Sequence, residues 1–179
     1  MGRRPRTLGV ISDTHGYFDP ALPALFRGVE AILHAGDVVG REVLEQLKAI
    51  APVIAIAGNN DGPPLSDELP AWRTVDIDGA RILILHDLGK PERLRAPASE
   101  LVSRERPRVV VSGHSHAGRV DVREGILFVN PGSAGKKRFR LLRSAAFLLF
   151  RPRAIAARLI SLEGRAGDVV ASAELPRQR

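Results

Sequence analysis

The stretch that most constrains this chain is Gly113-His114-Ser115-His116, directly after the apolar run Arg108–Ser112. Two imidazoles one residue apart, at the exit of a run suited to burial, stand at the carboxyl edge of a sheet. Open α/β sheets build their sites at that edge. The sequence holds five histidines, and four stand just past a short β-rich run. His15 follows Leu8–Ser12, His86 follows Arg81–Leu85, and His114 and His116 follow Arg108–Ser112. His34 lies inside a similar segment. This repetition points to one site assembled from several strand ends.

The order of runs sets the fold class. Arg6–Ser12 reads as a first strand, buried on both faces. Asp19-Pro20 predicts a helix start that carries Leu22, Leu25 and Phe26 as far as Gly28. Ala31–His34 is a second strand, Glu42–Ile50 a second helix and Pro52–Ala57 a third strand. Strands alternating with helices in this way pair in parallel through crossovers. The pattern then changes to hairpins, Arg73–Ile77 with Ala80–Leu85 around Asp78-Gly79, and Val120–Val122 with Ile126–Val129 around Glu124-Gly125. Lys90–Pro97 reads as a loop, Ala98–Arg106 as a short helix, and Ala145–Phe150 and Ile155–Leu162 as the last strands. Residues 165–179 read as a polar, frayed tail. With 179 residues and no repeat or linker, one domain over 1–179 is expected.

Composition narrows the chemistry. The absence of cysteine excludes disulfides, thiolate nucleophiles and cysteine-based metal sites, so a bound metal must take nitrogen and oxygen ligands. No apolar run approaches a membrane span, and the first residues lead straight into a strand, so a cytoplasmic protein without membrane partners is expected. The net charge of +7 comes from 23 arginines against four lysines. With six phenylalanines, one tyrosine and one tryptophan as stacking platforms, this surplus favours coding bias over a nucleic-acid surface.

Each early strand ends in a potential ligand: Asp13 and His15, then Asp37, Asn59, His86, and His114 with His116. Taken singly, an Asp-x-His reads as a cap beside a structural histidine, and Gly-Asn-Asn-Asp reads as a turn. Seven donors arriving in order at the same sheet edge ask for a shared purpose. Asp13-x-His15, Gly36-Asp37, Gly58-Asn59-Asn60-Asp61, His86 and Gly113-His114-x-His116 resemble the ordered motifs of the calcineurin-like metallophosphoesterases. The resemblance runs from about residue 8 to about 140 and includes Asn130-Pro131-Gly132-Ser133. It is strongest to the small prokaryotic phosphodiesterase branch.

The resemblance implies an α/β fold, a four-layer α/β/β/α sandwich of two mixed sheets flanked by helices. It implies two divalent metal ions, manganese first, with nickel, iron, zinc or magnesium as alternatives. Asp13, His15 and His116 would hold one ion, Asn59, His86 and His114 the other, with Asp37 bridging. A hydroxide shared between the ions would then attack the phosphorus of a small-molecule phosphodiester. Phosphomonoesterases of the superfamily carry a proton-donating histidine after the ligand asparagine. Here Asn60 stands in that place, which implies weaker monoester activity and a catalytic or substrate-binding role without proton transfer. His34 is a candidate general acid, although a buried histidine bonded to backbone or to a ligand is the expected reading. Arg119 and Ser133 are candidate phosphate contacts, while Arg138 is expected to be a surface or turn residue. The superfamily also contains a eukaryotic coat-complex subunit without catalysis, which sets an interaction scaffold beside hydrolysis, with a nuclease as a third reading. Relatives of the branch often pair, so a homodimer or homotetramer is expected.

Overall fold

The computed structural model describes residues 6–137, 140–164 and 167–177. The first half is β1 (Arg6–Ile11), α1 (Leu22–Leu25), β2 (Ala31–His34), α2 (Arg41–Lys48) and β3 (Val53–Ala55). β1, β2 and β3 pair in parallel, as the strand–helix alternation predicts, with Leu8 opposite Ala31 and Leu33 opposite Ile54. Next come α3 (Leu65–Glu68), β4 (Trp72–Ile77), β5 (Ala80–Leu85), β6 (Gly89–Lys90), β7 (Arg93–Leu94) and α4 (Ala96–Glu105). The chain ends with β8 (Val109–Val111), β9 (Arg119–Arg123), β10 (Ile126–Asn130), β11 (Ser144–Phe150), β12 (Ala154–Ser161) and β13 (Val169–Pro176).

The strands form two mixed sheets, ordered β13-β12-β11-β1-β2-β3 and β4-β5-β8-β10-β9. Side-chain alternation explains the layers. Leu8 and Val10 of β1 meet Ile82, Ile84, Val109 and Val111 of the other sheet in the central core. Ile11 and Ile32 point the opposite way, onto Leu22, Phe26 and Leu47 of α1 and α2. Val110 and Leu83 turn outward onto Ala98 of α4. The result is the four-layer α/β/β/α sandwich. The helix layer approaches closely at Gly9, where an added Cβ would stand 3.0 Å from the Phe26 ring.

Both hairpins turn where Asp-Gly and Glu-Gly predict, with all four turn residues at positive φ. Other elements depart from expectation. The first helix begins at Leu22, because Asp19 Oδ1 accepts the Ala21 amide (2.8 Å) and caps a turn before it. The expected loop at Lys90–Pro97 contains the β6–β7 ribbon, and α4 starts at Ala96. The expected tail is corrected most: residues 169–176 form β13, the edge strand beside β12. Its inward residues Ala171, Ala173 and Leu175 join the central core. Two small alanines give a weak period-two signal, and only the neighbouring strand reveals their burial. Among the described residues, no helix is long and apolar enough to cross a membrane.

Candidate metal centre

The exits of β1, β2 and β8 share an unusual backbone. Asp13, His15, Asp37, His114 and His116 all lie at positive φ, between 47° and 67°. This region is sparsely used by non-glycine residues and persists where surrounding bonds impose it. Here the bonds cross between loops. The Asp13 amide donates to the Gly36 carbonyl (3.0 Å), the His15 amide to Asp37 O (3.0 Å), and the Gly135 amide to Asp13 O (3.1 Å). Glycines permit the close approach. A Cβ on Gly113 would stand 2.8 Å from Asp13 Oδ2, one on Gly36 2.7 Å from His86 Nδ1, and one on Gly58 would overlap Asp37.

The result is two donor groups that share a carboxylate. Asp13, His15, Asp37 and His116 each offer a ligand atom within 4.8 Å of the others. His15 Nε2 lies 3.1 Å from His116 Nε2, and His116 Nε2 lies 3.3 Å from Asp13 Oδ1. In the second group Asn59 Oδ1 is 3.1 Å from His86 Nε2 and 2.9 Å from His114 Nδ1. Asp37 faces both groups, with Oδ2 3.8 Å from His15 Nε2 and Oδ1 3.4 Å from His86 Nε2. All seven expected donors therefore converge. Lone pairs from carboxylates, imidazoles and one amide crowd together there. Such a donor set fits borderline-to-hard divalent ions.

Electrostatics favours charged, ligand-ready carboxylate at the centre. Burial alone would raise the Asp37 pKa, but bonds from His86 and from the Asn60 backbone and side chain outweigh it. The carboxyl is held well below its usual range. Burial pushes His86 down, while Asp37 and the Ala35 carbonyl, 2.7 Å from Nδ1, outweigh it and raise its pKa. The Ala35 contact fixes the ring so that Nε2 points to the donors.

Four of the expected catalytic or substrate residues have partners within the protein. Asn60 donates its backbone amide to Asp37 Oδ1 (2.8 Å) and its side-chain amide to Oδ2 (2.6 Å). It braces the shared carboxylate rather than presenting a free amide to substrate. Ser133 is buried and donates to the Asp13 carbonyl (2.8 Å), so its hydroxyl is engaged in holding the loop. Arg119 is paired with Glu92 and Asp121. His34 is fully buried beneath the loops, with Nε2 3.0 Å from Thr14 Oγ1 and Nδ1 without a partner. Burial lowers its pKa to about 4, so it is no proton donor near neutrality. Its partner is neither backbone nor ligand, as the sequence reading expected, but a hydroxyl. Arg138 lies outside the described residues.

Two supporting acids escaped the sequence reading. Asp61 accepts the Gly58 amide (2.8 Å) and the Val39 amide (2.7 Å), tying the exits of β2 and β3 together. Asp87 stands 3.6 Å from His114 Nε2 and pairs with Arg95. Asp61 sits inside the motif and offered a signal, whereas Asp87 offered only its place after His86.

Comparison with known proteins shows what the chain as a whole is similar to. Residues 7–151 match the calcineurin-like phosphoesterase superfamily domain. A probable metallophosphoesterase of Methanocaldococcus jannaschii is 36% identical over 132 residues, covering 70% of this chain and 67% of that protein. A phosphodiesterase of the same organism is 28% identical over 141 residues, covering 70% and 82%. Among solved structures, YfcE, a phosphoesterase from E. coli, superposes with a TM-score of 0.68 at 26% identity, covering 93% of this chain and 98% of that one. Vacuolar protein sorting 29 of Cryptosporidium parvum has a TM-score of 0.79 at 22% identity, covering 97% and 99%, which shows a shared fold.

Proposed function

This chain belongs to the calcineurin-like phosphoesterase superfamily, and from that premise we propose that it hydrolyses phosphodiesters with two divalent metal ions. The observation that carries the reading is the position of Asp37, one oxygen toward each donor group. Asp13, His15 and His116 would hold one ion, Asn59, His86 and His114 the other, and Asp37 both. Ions held there supply Lewis acidity toward phosphoryl oxygens and lower the pKa of water for hydrolysis. Manganese is the first choice, with nickel, iron, zinc or magnesium as alternatives.

The chain's own groups support a preference for diesters. A monoester leaving group gains most from a proton donor, and the position after Asn59 offers only an amide engaged with Asp37. His34 is neutral and buried. Good leaving groups and strained diesters need no such donor. The phosphodiesterase among the relatives points the same way.

The test is hydrolysis of bis(p-nitrophenyl) phosphate beside p-nitrophenyl phosphate, with metal-stripped protein refilled by manganese, nickel, zinc or magnesium. Metal-dependent diester cleavage well above the monoester is expected. Preference for the monoester would overturn the role given to Asn60, and bound ions without any turnover would favour a partner-binding scaffold.

A further inference from the structure

Two clefts flank the His114-Ser115-His116 loop. One of about 620 Å³ lies between residues 88–92 and the β9–β10 hairpin, and touches Ser115 but none of the seven donors. The other, of about 560 Å³, is lined by Asn59, His86 and His114 at one end and by Trp72, Pro97 and Leu101 elsewhere. It therefore opens directly on the second donor group.

Trp72 reaches this place through two long-range constraints. It sits opposite Leu85 in the β4–β5 register, beside the residue that precedes His86. The Ala57 amide donates to the Pro70 carbonyl (2.9 Å), which holds the segment entering β4 against the exit of β3. The guanidinium of Arg104 lies over the ring at 4.9 Å, yet Trp72 remains 36% exposed. A large indole that stays partly open beside metal-ligating groups is a ready platform for another ring. The Arg95 guanidinium at the same cleft is paired with Asp87 at 2.5 Å, which offsets its charge toward a second anion.

We propose that this cleft is the subsite for one ester substituent of the diester, and that Trp72 selects planar aromatic substituents by stacking. The proposal rests on the phosphodiesterase reading for its substrate. Replacing an aromatic stacking platform by alanine weakens binding by about tenfold, which sets the expected size of the effect.

Trp72 is the sole tryptophan, so its fluorescence reads the cleft without turnover. The manganese-loaded wild-type protein is titrated with diphenyl phosphate and, separately, with dimethyl phosphate. A saturable change with the diphenyl ester alone is expected. In parallel, Trp72→Ala raises KM for bis(p-nitrophenyl) phosphate by about tenfold with kcat little changed, and Trp72→Phe restores most of the affinity. Equal responses to the two ligands, or an unchanged KM in Trp72→Ala, overturn the subsite. The titration uses the intact chain, so misfolding of a variant would not protect the proposal. A saturable response in protein that cleaves no ester keeps the cleft and sinks the diesterase reading; full diesterase activity with flat fluorescence does the reverse.

Discussion

His114 and His116 are two residues apart and share the same left-handed backbone, at φ 67° and 57°, yet they belong to different environments. The His116 side chain is 14% exposed and turns inward to Asp13, whereas that of His114 is 39% exposed and turns outward to Asn59. The inner donor group is framed by backbone bonds between loops, including those from Gly135 and to Gly36. Ser12 Oγ, 2.6 Å from Asp13 Oδ2, and the His114 amide, 3.1 Å from the same oxygen, fix that carboxylate further. The outer group has one buried, backbone-fixed member, His86, while Asn59 and His114 are exposed and meet it through side-chain contacts, and this edge opens on the Trp72 cleft. The inner half is thus built by the scaffold throughout, whereas in the outer half only His86 is, and Asn59 and His114 stay open to solvent. Preorganisation of this kind comes from bonds that lock the donors before a ligand arrives.

The comparison breaks most completely at Asp37, the residue common to both halves. Asp37→Ala should lower turnover of bis(p-nitrophenyl) phosphate by about 1,000-fold, because Lewis-acid stabilisation worth several kcal/mol loses its shared anchor. Metal content by mass spectrometry should fall in both groups, and His116→Ala should lose only the inner ion. Retained activity in Asp37→Ala would remove the two-ion reading.

Acid tests the buried layer beneath the inner half. His34 has its pKa lowered from 6.5 to about 4, so the unfolded chain binds its proton first as pH falls. The stability carried by neutral His34 is complete above pH 6.5 and is lost between 6.5 and about 4, by roughly 3 kcal/mol in total. Denaturant unfolding of metal-free protein at pH 7 and pH 4 should show this loss, and His34→Gln should escape most of it.

Packing at the seam between the halves is sharpened by Gly58→Ala. The new Cβ would overlap Asp37 N and Oδ1, and overpacking against fixed backbone costs about 1–3 kcal/mol. A thermal melt close to that of wild type would show that the loop can move aside. The smallest effect is expected from Asn60→Ala, which leaves Asp37 in place but unbraced. Loss of such a support lowers activity or metal affinity by about tenfold, measured as kcat and as manganese affinity, with the fold unchanged.

How far the sequence reached depends on the range of the forces involved. The parallel β1–β3 unit, both hairpins and all seven donors were legible, because alternating burial, glycine-containing turns and strand-terminal ligands are local patterns. β13 was not, since Ala171 and Ala173 look neutral until β12 covers one side of them. In sequence, Asn60, Ser133 and Arg119 look like polar groups that can meet substrate. Each spends its hydrogen bonds on residues distant in the chain, Asp37, Asp13 and Glu92. Trp72 counts in the sequence only as one of a few possible stacking platforms, as its place beside the donors depends on a register with Leu85 and on the Pro70 contact to Ala57.

By itself, then, the sequence determined which donors exist and in what order they leave the strands, because ligand chemistry belongs to side chains and strand ends are marked locally. The tertiary structure alone decided which donors face inward, which supports are already engaged and which cleft the outer ligands meet. Those outcomes depend on backbone and side-chain groups finding partners some 100 residues away, as the His114 amide finds Asp13, and no local pattern encodes such a meeting.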